Sequence, residues 1–292
     1  MPEYKITHKT IYDYADNVTR CYNKALVTPL TDGNQVCLSH NLEISPEPDE
    51  LYRYRDYFEN HVSYFSISNR HKVLLVEAIS TVSLEALPNI DFSTSLPWNM
   101  VLSHLEATDY DEYVRAFPYT LESGFIKFID FPSEYLNVFE EGLPVLEVAS
   151  RLTHLVYNKF TYDPKATEIN TPLEQLVKKQ RGVCQDFAHF MIALLRLKGV
   201  PARYVSGFIE TLPPPGQPKL VGADATHAWV SVYSPGHGWV GFDPTNGKTR
   251  DESYILTARG RDYFDITPLR GVIYGGGDNK LKVSVDVSRV GD

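Results

Sequence analysis

The apolar period of this chain changes near Pro97, and that change limits the folds open to it. Before it, short runs alternate between apolar and polar residues. Residues 3–14 mix aromatic side chains with Thr and Ile, and residues 36–44 alternate until Ser45-Pro46-Glu47-Pro48 stops them. Runs at 51–58, 60–67 and 73–84 follow, the last preceded by the turn Asn69-Arg70-His71. A period of two sends successive side chains to opposite faces of a sheet, so these runs predict strands. Several short strands joined by polar turns predict a β-sandwich-like or meander unit, which the 19 Tyr and 14 Phe residues suit.

Beyond Pro97 the spacing becomes helical. Val145, Val148, Ala149, Leu152, Leu155, Val156 and Phe160 share one stripe, with Pro144 at a first-turn position. Thr171-Pro172-Leu173-Glu174 reads as a capping box with Thr171 at the N-cap, predicting a helix over 172–180. A third, buried helix is predicted to begin near Cys184. Its middle is apolar, its last turn is cationic, and Gly199 and Pro201 end it. Residues 202–209, 226–233, 239–243 and 280–290 read as strands, 234–238 as a turn and 212–225 as a Pro-rich loop. Helices followed by antiparallel strands predict an α+β core. The 292 residues thus divide into a β-sandwich-like unit (1–95), a connecting segment (96–143) and an α+β unit (144–292).

Composition removes several classes of function. The net charge of −9 argues against a nucleic-acid partner, which calls for a basic surface. No apolar run approaches the roughly 18–20 residues that span a bilayer, so no membrane partner is expected. The start, Met1-Pro2-Glu3-Tyr4-Lys5, lacks a basic segment followed by an apolar one, which leads to the expectation of a cytoplasmic protein. Cys21, Cys37 and Cys184 form no Cys-x-x-Cys pair and predict neither a disulfide scaffold nor a zinc knuckle. The nine histidines show no metal-binding spacing, so no metal or other cofactor is expected. Gly275-Gly276-Gly277 precedes neither a lysine nor a helix and is not a phosphate loop.

Chemistry concentrates around Cys184. A free cysteine is often simply core. At a helix start, however, unpaired N–H groups and a partial positive charge favour a thiolate, and the N–H of Cys184 itself can serve an oxyanion. A thiol nucleophile needs a base. His189 lies five residues on, and at ~100° per residue it points away from Cys184, so a structural role is expected for it. His227 sits in Thr226-His227-Ala228-Trp229-Val230 and shares a strand face with Trp229, Ser231 and Tyr233. If 234–238 is a hairpin loop, 229 pairs with 243 and 227 with 245. Asp243 is then diagonal to His227, with Cβ atoms roughly 7–8 Å apart, near enough for its carboxylate to orient the imidazole. Taken singly, such a pair is equally a strand histidine beside an Asp-Pro turn. Trp229 and Trp239 are candidates for the wall of a substrate groove, with sheet packing as the alternative. Asp186 faces away from Cys184 and is expected to make a structural hydrogen bond.

Three segments carry a resemblance to a known family. Gly182-Val183-Cys184-Gln185-Asp186-Phe187-Ala188-His189 runs on through Arg196-Leu197-Lys198-Gly199-Val200-Pro201-Ala202-Arg203. Thr226-His227-Ala228-Trp229-Val230 and Gly238-Trp239-Val240-Gly241-Phe242-Asp243-Pro244-Thr245-Asn246 follow in order. Together they resemble the bacterial branch of the transglutaminase-like cysteine enzymes, as does the tail Gly260-Arg261-Asp262-Tyr263-Phe264-Asp265. The resemblance covers about 150–275, and 1–90 is similar to the β-rich domain that accompanies this branch. It implies a papain-like or transglutaminase-like α+β fold, with a nucleophile helix packed on an antiparallel sheet. It also implies a Cys–His–Asp triad of Cys184, His227 and Asp243 that works through an acyl-thioester. Cys184 would attack a carbonyl, His227 would carry the proton and Asp243 would orient His227. The backbone N–H of Cys184 is the oxyanion donor expected from its position, while Gln180 and Gln185 lie near without an assigned role. With water as acceptor the activity is a peptidase or isopeptidase on a peptide or protein substrate. With an amine it is a protein-glutamine gamma-glutamyltransferase, and with water on glutamine a deamidase. The eukaryotic cross-linking relatives use calcium, and no D-x-[DN]-x-[DN]-G loop occurs here, which leans the expectation toward hydrolysis. A catalytically idle binding module on the same fold is the remaining alternative.

Overall fold

The computed structural model describes residues 1–210 and 226–290, so the Pro-rich stretch 212–225 lies outside the described residues. The alternating runs form β1 (Glu3–Ala25), β2 (Gln35–Ser45), β3 (Glu50–Arg55), β4 (His61–Ile67) and β5 (His71–Leu84). Next come α1 (Val101–Thr108), α2 (Tyr110–Ala116), α3 (Ser133–Leu136), α4 (Val145–Lys159), β6 (Thr161–Tyr162), α5 (Leu173–Lys179), β7 (Arg181–Gly182) and α6 (Cys184–Leu197). The chain continues with β8 (Ala202–Ile209), β9 (Thr226–Ser234), β10 (Gly238–Asp243), β11 (Lys248–Thr249), β12 (Tyr254–Gly260), β13 (Leu269–Gly275) and β14 (Asn279–Arg289).

The long β1 organises the first sheet. Its first half pairs with β5 (Ile6 opposite Ser80) and its second half with β4 (Cys21 opposite Ile67). The register shifts between Asp13 and Val18, where the strand passes from one set of partners to the other. Cys21, Phe65 and Ile67 from the second half meet Leu42, Leu74, Val76 and Ala78 of β2 and β5 in one apolar core. The sequence predicts a β-sandwich-like unit; the structure shows one β-rich sheet, ordered β2-β5-β1-β4-β3 with β13 and β14 also paired to β1, sharing this core.

The other edge of β1 is covered from far along the chain. Val287 of β14 lies opposite Ile6, and Ile273 of β13 lies opposite Cys21. Residues 269–289, placed by the sequence with the α+β unit, therefore sit in the first sheet. Alternation shows that a strand has a buried face but says nothing of the strand it pairs with. Gly275-Gly276-Gly277 turns this hairpin past the bend of β1 with φ of +89°, +85° and +61°. A Cβ on Gly275 would come 2.6 Å from the Asn17 carbonyl oxygen, so the turn needs glycine for space as well as for its left-handed backbone.

The second sheet is antiparallel, ordered β11-β10-β9-β8-β12. The helix α6, which begins at Cys184, packs on it. Phe187, Ala188, Phe190, Met191 and Leu194 share a core with Ala202, Tyr204, Ala228, Val230 and Phe242, and with Val148, Leu152 and Val156 of α4. Each large apolar side chain buried there contributes on the order of 1.5–3 kcal/mol. Val101, Leu105, Phe131, Tyr135 and Phe139 belong to the same core, so the segment 96–143 packs into the α+β unit as well as linking it.

One cap differs from expectation. The helix α5 starts at Leu173, after an extended Pro172, with no side-chain cap. The Thr171 hydroxyl instead accepts the Glu168 N–H at 2.8 Å, so it closes the preceding turn. Among the described residues, no helix is long and apolar enough to cross a membrane.

Candidate active site

The start of α6 is held by a short polar network. Val183 is extended, and its N–H donates to Asp186 Oδ2 at 2.8 Å, a carboxylate oxygen that also accepts from the Thr167 hydroxyl at 2.6 Å. This is the structural role expected of Asp186. A Cβ on Gly182 would sit 2.5 Å from Asp186 Oδ2, so glycine beside the cysteine lets this carboxylate reach the chain. Cys184 is the first residue of the helix and is half-buried. Its N–H belongs to the first turn and has no intrahelical acceptor.

The strands β9 and β10 bring up the partners. Gly238 pairs with Ser234 and Phe242 with Val230, the register that makes Asp243 diagonal to His227. His227 Nε2 lies 2.7 Å from Asp243 Oδ2. Asp243 is fully buried and takes four further hydrogen bonds. Its Oδ2 accepts from the Tyr254 hydroxyl and from Asn246 Nδ2, each at 2.6 Å. Its Oδ1 accepts from the N–H groups of Thr245 (2.9 Å) and Asn246 (3.2 Å). Burial works against the carboxylate, but His227, Tyr254 and Asn246 outweigh it and hold the group below the usual carboxylate range. Burial likewise opposes a charge on His227. The hydrogen bond that His227 donates to Asp243 is the main effect that outweighs it, with its hydrogen bond to Cys184 next, and the imidazole is pushed up to about 9. With Nε2 held by Asp243, Nδ1 is the ring nitrogen left to face the thiol.

The fold thus brings together Cys184, His227 and Asp243. Asn246 and Tyr254 complete the surroundings and were not singled out in the sequence. Asn246 carried a signal, since Asp243-Pro244-Thr245-Asn246 is a turn rich in backbone-binding side chains. Tyr254 carried none, because it arrives from β12 through tertiary packing. Trp229 is buried and meets the Tyr254 ring edge-on, 5.3 Å between centroids at 82°. Trp239 packs edge-on against Tyr119 at 5.0 Å and lies under the Arg203 guanidinium at 4.3 Å. Both tryptophans line a cavity of about 260 Å³ whose lining includes none of Cys184, His227 and Asp243.

The remaining polar candidates are occupied elsewhere. His189 is buried, and its Nε2 accepts the Tyr263 N–H at 3.2 Å. Burial pushes its pKa down to about 3, so it is a neutral core histidine. Gln180 donates to the Tyr135 hydroxyl at 2.9 Å and Gln185 to the Ile169 carbonyl at 3.2 Å. Among the described residues, no group of three or more His, Cys, Asp or Glu side chains is placed to hold a metal ion.

A helix that presents a cysteine at its first turn to a strand-borne His–Asp pair defines the transglutaminase-like class of α+β fold. Comparison with known proteins agrees. Residues 137–244 match the transglutaminase-like superfamily, and residues 4–83 match the bacterial transglutaminase-like N-terminal region. An uncharacterized protein of Mycobacterium tuberculosis is 37% identical over 297 residues, spanning 97% of this chain and 92% of that one. The chain therefore belongs to the bacterial transglutaminase-like family. A crystal structure from Cytophaga hutchinsonii, provisionally described as a cysteine protease, shares the fold with a TM-score of 0.76 and 20% identity over 100% of this chain and 91% of its own. A protein-glutamine gamma-glutamyltransferase of Pseudomonas aeruginosa is 35% identical over 105 residues, which is 35% of this chain and 16% of that enzyme.

Proposed function

We propose that this protein is a thiol-dependent amide hydrolase of peptidase or isopeptidase type. The observation that carries the reading is the imidazole of His227, held at Nε2 by a fully buried Asp243 and pushed up to about 9 beside Cys184. A cationic imidazole next to a sulfur favours the anionic, nucleophilic form of that sulfur. In the first half-reaction Cys184 Sγ bonds to the amide carbon, and the oxyanion takes the Cys184 N–H at the positive end of α6. The C–N bond then breaks and the amine leaves with the proton held on His227 Nδ1, giving a thioester. In the second, a water gives its proton to His227 and attacks the thioester. The C–S bond breaks, the acid product leaves and the thiol is restored. Asp243 orients His227 and balances its charge throughout. The half-exposed Cys184 supports water as acceptor.

A second reading rests on the stretch similar to the Pseudomonas aeruginosa protein-glutamine gamma-glutamyltransferase. An amine would then accept the acyl group from the same thioester. Iodoacetamide labelling against pH, read residue by residue by mass spectrometry, tests the shared part. Cys21 and Cys37 are internal references, since burial pushes both thiols up. Cys184 should label faster than Cys21 and Cys37, and more slowly in His227→Ala. A Cys184 no faster than Cys37 would overturn both readings. A glutamine peptide supplied with and without a labelled primary amine then separates them. Ammonia or amine release without incorporation supports hydrolysis, and incorporation supports transfer.

A further inference from the structure

Two arginines are buried in the α+β unit, and the fold satisfies only one of them. Arg196 on α6 donates from Nε to the Ala202 carbonyl (2.9 Å), from Nη1 to the Leu121 carbonyl (3.0 Å) and the Ser123 hydroxyl (3.3 Å), and from Nη2 to the Arg261 carbonyl (2.6 Å). Arg203 on β8 is 9% exposed, yet its buried Nε finds no acceptor and no described residue forms an ion pair with it. Its guanidinium lies 4.3 Å over the Trp239 ring and feels Arg259 and Arg250 as well as Asp32. An unpaired buried guanidinium is costly, and folds retain one chiefly where something binds it.

The space beside Arg203 supplies a reason. The cavity of about 260 Å³ is lined by Arg203, Arg250 and Arg259, with Asp32, Asn34 and Ser231 among its polar walls. Asp32, the one carboxylate lining it, is already paired with Arg259 Nη1 at 2.5 Å. Arg250 gives Nη2 to Asn34 Oδ1 at 2.9 Å, but its buried Nε also lacks an acceptor. Gly241 makes this placement possible, because a Cβ there would come 2.8 Å from the Arg250 Cβ. Three guanidiniums therefore face one committed carboxylate, and two buried Nε–H donors are left for a ligand. A neighbouring cleft of about 490 Å³ shares Leu87, Trp239, Gly241 and Arg250 with the cavity and adds the apolar Ile90 and Phe92 and, on its rim of polar residues, Asp251 and Glu252, of which Asp251 is paired with Lys248.

We propose that this cavity binds the oxyanions of a small dianion, bridging Arg203 and Arg250, with the rest of the ligand in the adjoining cleft. Two unbalanced positive charges match a dianion, and planar guanidiniums recognise both carboxylate and phosphate oxygens through paired N–H donors. The site is separate from the proposed catalytic centre. Its wall Trp229 meets Tyr254, which donates to Asp243, and stacks on the His227 ring at 6.3 Å between centroids, so a single side chain divides the two. Burial and the nearby Arg259 push Arg203 down to about 9, and a bound anion would counter both effects.

Calorimetric titration of the full chain with inorganic phosphate, and separately with succinate, tests the proposal, with sodium chloride at matched ionic strength as control. Saturable one-site binding of either dianion is expected, and whichever binds assigns the ligand to the phosphate or the dicarboxylate class. Arg203→Met and Arg250→Met should each weaken it about tenfold or more, the loss of a charge-assisted contact. Arg270→Met, which removes an exposed guanidinium lying over Phe264, should bind as the wild type does. Melting curves keep the test decisive if Arg203→Met folds poorly. The binding dianion should raise the melting temperature of the wild type and not that of Arg250→Met. Failure of both dianions to saturate, or unchanged affinity in Arg250→Met, would overturn the proposal whatever the fate of Cys184 chemistry.

Discussion

Asp243→Asn separates the charge on Asp243 from its shape. In the wild type His227 is pushed from its ordinary 6.5 up to about 9, which corresponds to about 3 kcal/mol favouring the cation. Asp243 contributes more of this than Cys184 does, so the larger part of it disappears with its charge. The folded value is raised, so the stabilisation is present in full below pH about 6.5 and is lost as pH rises through 9. A second cost does not depend on pH. The carboxylate accepts from three donors at Oδ2 and two at Oδ1. An amide can accept on one side only, which sets its NH2 against donors on the other, at about 1–3 kcal/mol for the groups left unsatisfied. Urea unfolding should therefore show a loss of about 3–5 kcal/mol at pH 6 and about 1–3 kcal/mol above pH 9. In parallel, ring resonances of His227 should titrate near 9 in the wild type and clearly lower in the variant, where Cys184 is left to offset burial. Equal losses at both pH values, or a wild-type His227 titrating at 6.5, would refute the charge pairing.

Cys184→Ala should abolish turnover of any amide substrate while changing unfolding free energy by less than about 1 kcal/mol, since the side chain is small and half-buried. Tyr254→Phe removes the hydroxyl 2.6 Å from Asp243 Oδ2 and should cost about 1–2 kcal/mol in urea, with a smaller fall in kcat than Asp243→Asn. Gly182→Ala should displace Asp186, whose Oδ2 lies 2.5 Å from the new Cβ, release the Val183 N–H and slow iodoacetamide labelling of Cys184. Arg196→Met leaves three backbone carbonyls and the Ser123 hydroxyl without their donor and should destabilise the fold by about 3 kcal/mol or more, checked by chemical denaturation.

Much of the site was legible because it is built from short-range signals. The apolar run after Cys184, closed by Gly199 and Pro201, locates the helix that starts at Cys184. The turn at 234–238 sets a hairpin register, and that register alone puts Asp243 diagonal to His227. The capping box was misplaced by a similar local argument. Thr171 has the right residue type and spacing, but its hydroxyl serves the Glu168 N–H, a competitor the motif does not reveal.

Within β1, periodicity marks which side chains turn inward, while the choice of β4, β5, β13 and β14 as neighbours comes from the assembled sheet. Tyr254 reaches Asp243 from β12, and Arg203, Arg250 and Arg259 converge from three different parts of the chain. By itself the sequence determined the element types, the nucleophile helix and the His–Asp hairpin, because helix ends, turns and side-chain periods depend on neighbours a few residues away. Only the tertiary structure decided strand partnership, the donors around Asp243 and the cluster of three arginines around one carboxylate. Those depend on which surfaces are buried together, and burial joins residues that the chain keeps far apart.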